Sequence, residues 1–375
     1  MKKLQNIKWS LVLPFLIIGI FTIVSIFISD SLPRSMRTLL EEISIAILLA
    51  GSLSLVVGFL GELSLGHAGF MCVGAYLGGK IALLLSSSLG DGILSFILAL
   101  LVGGLCAGIC GFIVGLPALR LKGDYLAITT LAFGEIVRTL FQNSSVESFG
   151  GTLGMEAPSM DARKSLFVFG FVLVLVMLFV IQNLIRSKHG RAITAIRDNE
   201  IAAKATGINV TKYKLMVFII AAVFAGIAGV LYAYMQRDSV RSEAFTYNKS
   251  IEILVMVVIG GMGSINGSII AATLITTLNI TLLTSLPAEY AVYKNIIYAV
   301  ILILVVIYNN APALKNFRDK HNLNNLFHRK KKEDPNDSGR WDVVPTKIKM
   351  DAILSTDLAV NDYKPDKSKE DHKHE

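Results

Sequence analysis

The feature that most constrains this chain is a succession of apolar runs, each about as long as a helix that crosses a bilayer and nearly free of charge. Such a span takes about 20 apolar residues. By that measure Leu11–Ser29, Ile43–Leu60, Ala68–Ser86, Ile93–Val114, Tyr125–Phe141, Leu166–Ile185, Leu215–Met235, Ile251–Met262, Ser268–Thr284 and Tyr290–Tyr308 are ten expected spans. The eighth is too short to cross unaided, and the fifth carries Glu135 and Arg138. A backbone in lipid must satisfy its own hydrogen bonds, which leaves helices or closed barrels. The expected fold is therefore an all-α polytopic membrane protein of about ten transmembrane helices.

Charge is scarce and unevenly placed. Soluble proteins carry roughly 25% charged residues; this chain of 375 residues carries 17%. The last 65 residues hold 14 Lys/Arg and 12 Asp/Glu, against 22 and 16 in the first 310. Two domains follow: a membrane domain over 1–310 and a charged tail over 311–375 that reads as disordered. The bases around 315–332 suit an anionic cytoplasmic leaflet. A net charge of +8 does not mark a nucleic-acid binder here, because the bases flank spans instead of forming a groove-sized patch.

Cytoplasmic loops are enriched in Lys and Arg. With the N-terminus inside, the segments 1–10, 115–124, 186–214 and 311–332 hold 19 of them, and the outer loops 30–42, 142–164 and 236–250 hold 7. Both termini are expected in the cytoplasm, which an even number of spans allows. Met1–Ser29 resembles a signal peptide but has no small-residue cleavage site after it, so it is read as a retained span. Cys72, Cys106 and Cys110 lie in apolar stretches without accompanying His or carboxylate, and no metal site is expected. Gly74–Lys80 imitates a phosphate loop, but Ile81 stands where Ser or Thr belongs and no strand precedes it. No catalytic set is found.

Glycines crowd two distant stretches with one pattern, Gly58-x-x-Gly61 and Gly260-x-x-Gly263. Paired glycine-interrupted segments point to broken helices built on internal repeats around a transporter's central site. Gly58, Gly61, Gly66, Gly260 and Gly263 are the expected break positions. Near the first lie Glu62, Ser64 and His67, which are costly in a membrane and so candidates for function. Glu135 and Arg138 are spaced to pair with each other. Asp124 suits the start of the fifth span's helix, and Lys80 and Glu252 can snorkel from span ends.

The loop 186–214 is too long for a simple connection. Asp198 or Asn199 can cap a short helix there, Glu200 and Lys204 can pair along it, and Gly207 fits its C-terminal stop. The segment reads as a cytoplasmic docking element.

Four segments in order resemble the LivM-type permeases of branched-chain amino acid ABC importers: Gly58–Phe70 (GFLGELSLGHAGF), Leu119–Arg138 (LRLKGDYLAITTLAFGEIVR), Gly190–Gly207 (GRAITAIRDNEIAAKATG) and Val258–Ser264 (VIGGMGS). Gly150–Met155 (GGTLGM) is similar to that family's external-loop pattern. The resemblance covers about 43–310. It departs after Pro312, where the family's following glycine is missing and the long tail begins.

The resemblance implies a non-enzymatic permease subunit in a bacterial cytoplasmic membrane, working by alternating access. It implies a second, LivH-like permease, two ATP-binding subunits that hold the ATP, and an extracytoplasmic substrate-binding protein; no cofactor is implied in this chain. Arg191, Ile196, Arg197, Asp198, Glu200, Ala202, Ala203 and Gly207 fall in the segment that would couple to the ATPases. Ser64, His67, Tyr125 and Thr129 are expected near the substrate path. Leucine, isoleucine and valine are the family's substrates; relatives carry urea, short amides or other small solutes. A stand-alone secondary transporter is the competing class, and ionisable residues near span ends rather than mid-membrane speak against it.

Overall fold

In a computed structural model of the chain, residues 9–28, 32–121, 123–161 and 165–285 are described, with 300 and 303. The expected span at 290–308 and the tail at 311–375 fall outside the described residues, apart from those two positions. The order is α1 (Trp9–Ile28), α2 (Arg34–Ser54), α3 (His67–Val73), α4 (Gly79–Leu89), α5 (Ile93–Ala118), α6 (Asp124–Gln142) and α7 (Val146–Phe149). Then come β1 (Met155–Glu156), α8 (Leu166–Arg186), α9 (Lys188–Asp198), α10 (Glu200–Ala205), α11 (Val210–Met235), β2 (Ser239–Val240), α12 (Tyr247–Gly260) and α13 (Ile265–Ser285). The first nine expected spans fall largely on these helices, the third divided between α3 and α4 and the eighth running past the end of α12 at Gly260. The fold is that of a helical membrane protein. Among the described residues, five helices are long and apolar enough to cross a membrane: Arg34–Leu60, His67–Leu89, Ile93–Ala118, Leu166–Arg186 and Val210–Met235.

Two of these are helices with π-helical turns, Leu55–Leu60 at the end of α2 and Gly74–Gly78 joining α3 to α4. Such turns widen a helix locally and recur at functional sites. α11 is the centre of the bundle, packed on α5, α2 and α3. Helices in lipid gain little from excluding water, so small residues at the contact let dispersion hold them together. Gly226 of α11 meets Gly103 and Gly104 of α5 and lies against Gly74, while Gly229 lies against the backbone of Met71. A side chain at Gly69 would come within 2.6 Å of the Gly134 Cα of α6. Aromatic packing fills the space above, with Tyr76 stacked on Phe141 at 4.4 Å between ring centres.

Following the helices from end to end sorts the connections into two groups. At one end β1 pairs antiparallel with β2, Met155 opposite Val240. Asp161 N–H donates to Asp91 O at 3.0 Å there, and Lys80 Nζ to Glu147 O at 3.3 Å. At the other end lie 61–66, α9–α10 and 261–264.

Candidate functional site

Both glycine motifs break helices. α2 unwinds through its π-helical turn and stops at Gly61, whose φ of 80° is a left-handed conformation that glycine adopts without steric cost. Residues 61–66 are non-helical until α3 begins at His67. Neighbours hold this stretch: Leu65 N–H donates to Thr130 Oγ1 of α6 at 3.0 Å, and Ala68 N–H to Ser250 Oγ of α12 at 3.1 Å. A side chain at Gly66 would come within 2.8 Å of the Thr130 carbonyl oxygen. In the second motif α12 ends at Gly260, and Gly261 and Gly263 take φ of 92° and 85°. Ser264 Oγ accepts from Gly267 N–H at 3.1 Å and so caps α13. The two breaks touch: a Cβ on Gly58 would sit 2.5 Å from Gly263 N. A cleft of about 280 Å³ opens beside them, lined by Phe59, Gln182, Arg186 and Gly263–Asn266.

The 186–214 segment forms two helices, α9 ahead of the short α10 that its caps predict. Ser187 Oγ caps α9, accepting from His189 N–H at 3.1 Å and Gly190 N–H at 3.3 Å. Asn199 stops α9 and caps α10, its Oδ1 accepting from Ile201 and Ala202 N–H, both at 3.0 Å. Gly207, with φ of 84°, ends α10 as expected.

Two polar clasps join this pair to the first break. Arg197 leaves the end of α9, packs its stem on Gly61 and donates from a terminal guanidinium nitrogen to Gly58 O at 3.2 Å. The last carbonyls of a helix lack partners along the chain, and a cation suits that end. Arg197 also pairs with Asp198 at 3.0 Å. The second clasp is Lys214 in the first turns of α11, bonded to Glu62 of the break and 3.3 Å from Glu200 of α10. Its side chain is 4% exposed, Glu62's 14% and Glu200's 24%. The charges are largely out of water, so each depends on the others. The sequence marked Glu62 and Glu200 separately and counted Lys214 merely as a loop base; nothing local links residues 152 positions apart.

The residues expected to couple to the ATPases divide by face. Ile196 and Ala203 are buried, anchoring the pair, while Arg191, Arg197, Asp198, Ala202 and Gly207 are exposed. Ile201, 78% exposed, stands among Ala202 and Ala205 as an apolar cap on α10.

The residues expected near the substrate path fall into two sets. Ser64 and His67 are buried at the break, and among the described residues Ser64 Oγ and both His67 ring nitrogens lack a hydrogen-bond partner. Ser54 Oγ, just before the π-helical turn, is likewise without one. Tyr125 is 72% exposed, and the Thr129 hydroxyl turns back to Tyr125 O at 2.8 Å, so this pair stands apart from Ser64 and His67. Thr130, one position on, is the residue of α6 that meets the break. Glu135 and Arg138 pair at 2.8 Å as their spacing suggests, and Glu135 also accepts from Tyr247 N–H at the start of α12.

A family model described as "Branched-chain amino acid transport system / permease component" matches residues 35–306. The LivM permease protein of a high-affinity branched-chain amino acid transport system in Escherichia coli K12 is 34% identical over 311 residues, spanning 75% of this chain and 70% of that protein. Its Salmonella typhimurium LT2 counterpart is 35% identical over 309 residues, 74% and 70% of the two chains. A probable LivH permease of Methanocaldococcus jannaschii is 27% identical over 146 residues, 38% of this chain and 45% of that one. No solved structure matches. With its glycine breaks, its capped helix pair and a match over most of its length, this chain belongs to the family of branched-chain amino acid transport permease components.

Proposed function

We propose that this chain is a membrane-spanning subunit of an ATP-driven importer of branched-chain amino acids, conducting solute by alternating access and catalysing no reaction itself. It crosses the bacterial cytoplasmic membrane about ten times, with both termini inside. A LivH-like permease completes the conduit, two ATP-binding subunits dock on α9–α10, and an extracytoplasmic binding protein delivers the solute. The observation that carries this reading is the pair of clasps, Arg197 to Gly58 and Lys214 to Glu62 and Glu200. They tie a surface helix pair with an exposed apolar cap to the place where two broken helices meet. A push on α10 is therefore delivered to the breaks. The unpartnered Ser54, Ser64 and His67 fit a path whose polar groups are satisfied in another state or by the passing solute.

Docking through Ile201 has a direct test. Ile201→Asp changes an exposed position, so insertion and folding stay intact. In proteoliposomes of the whole importer it lowers leucine uptake about tenfold or more, the loss typical of a central interface residue. ATP hydrolysis no longer rises when the loaded binding protein is added. Unchanged uptake would place the docking surface elsewhere.

A further inference from the structure

Apart from the glycine breaks, a cavity of about 260 Å³ lies among α2, α3, α11, α12 and α13. Its lining divides by chemistry. Leu49, Met71, Ile253 and Met256 give it apolar surface, while Glu42, Lys249, Glu252, Thr276 and Asn279 give it charge and hydrogen-bonding groups. Lys249, Glu252 and Met256 recur along one face of α12. Lys249 Nζ is 3.0 Å from Glu252 Oε2, and Asn279 Nδ2 is 3.5 Å from Glu252 Oε1. Thr276 is 6% exposed, and its hydroxyl has no partner among the described residues. A buried hydroxyl left unpaired is costly, and a ligand that accepts from it removes the cost.

We infer that this cavity is a binding site for a zwitterionic α-amino acid with an apolar side chain. The inference rests on the permease reading above and names the site that reading leaves open. Such a solute carries an ammonium and a carboxylate on one carbon. The ammonium takes Glu252 and Glu42, and the carboxylate takes Lys249 Nζ and the Thr276 hydroxyl. The solute thus enters between Lys249 and Glu252 and replaces each one's partner, so no charge is left unpaired. The branched side chain fills the surface of Met71, Ile253 and Met256. The volume lies below the roughly 300–1,000 Å³ of pockets for drug-sized ligands, as a small solute requires. Urea or a short amide offers neither charge to the separated pair nor apolar atoms to the wall. His67 lies one turn from Met71 on the same side of α3, so the unpartnered ring at the break stands one helical turn from the cavity wall.

The test uses the whole importer in proteoliposomes, with labelled leucine, ATP and the binding protein. Lys249→Gln lowers uptake about tenfold or more and Thr276→Val severalfold, as loss of hydrogen bonds to a charged group does. ATP hydrolysis stimulated by the loaded binding protein stays near the unsubstituted level in both. Unchanged uptake by both variants overturns the site and leaves the permease reading standing. Uptake and hydrolysis falling together in Thr276→Val, which keeps the side chain's shape, mark a structural role and overturn it too. An unsubstituted importer that carries urea and not leucine overturns the permease's substrate reading, and this site with it.

Discussion

Replacing Lys214 with methionine lowers stability by about 3 kcal/mol or more, the range for removing one partner of a buried ion pair. Methionine keeps most of the apolar stem, so the loss comes mainly from Glu62 and Glu200, left as two carboxylates near each other with no cation between them. Denaturant unfolding of the purified chain in detergent measures it. A triple variant, Glu62→Gln, Glu200→Gln and Lys214→Met, removes all three charges together and recovers most of the stability, because replacing a whole buried cluster is often neutral. Leucine uptake by the importer does not recover with it, since the clasp between α10 and the break stays open. A loss below about 1 kcal/mol in the single variant is what an exposed ion pair gives, and it would mean that the cluster is hydrated and carries no force.

Gly58→Ala is the second large effect. Gly58 lies in the π-helical turn without a positive φ, so alanine meets no backbone strain there. The obstacle is steric. Its Cβ arrives 2.5 Å from Gly263 N and 2.9 Å from Gly263 Cα, backbone atoms that no rotamer change can move. The two breaks must part, at about 1–3 kcal/mol for an overpacked contact, and Gly58 O moves away from Arg197. Uptake falls more than about tenfold, the factor that each 1.4 kcal/mol of lost coupling represents. Gly19→Ala in α1 is the control, because nothing lies within 4 Å of the added Cβ. Equal uptake by the two variants would remove the Gly58–Gly263 contact from the mechanism.

The helices and the caps were legible because their signals are local. Apolar length marks α5, α8 and α11, a short polar side chain at Asp198 or Asn199 offers a helix start its cap, and Gly207 and Gly61 stop helices where a left-handed residue is needed. α9 was less visible than α10, because the caps at Asn199 and Gly207 mark the short second helix, while the Ser187 cap that starts the first one stands among bases. Contacts across the bundle left no local trace. Lys214 looks like any base flanking a span until folding sets it between Glu62 and Glu200. Arg197 looks like a surface residue until Gly58 and Gly61 come beneath it. Thr130 and Thr129 differ in sequence by one position, and helix rotation decides which meets the break. The paired glycine motifs share a pattern visible along the chain; that they touch each other is a property of the fold.

The central claim is that α10 and the first break move as one body against the rest of the bundle. Pulsed electron–electron distances test it in the assembled importer, with Cys72, Cys106 and Cys110 replaced and spin labels placed in pairs. One pair joins Lys204 on α10 to Leu63 in the break; the other joins Lys204 to Leu89 at the far end of α4. When ATP is bound, the Lys204–Leu63 distance should hold and the Lys204–Leu89 distance should change by about 1–5 Å, the scale of helix shifts in switching proteins. A changing Lys204–Leu63 distance with Lys204–Leu89 fixed would contradict the account.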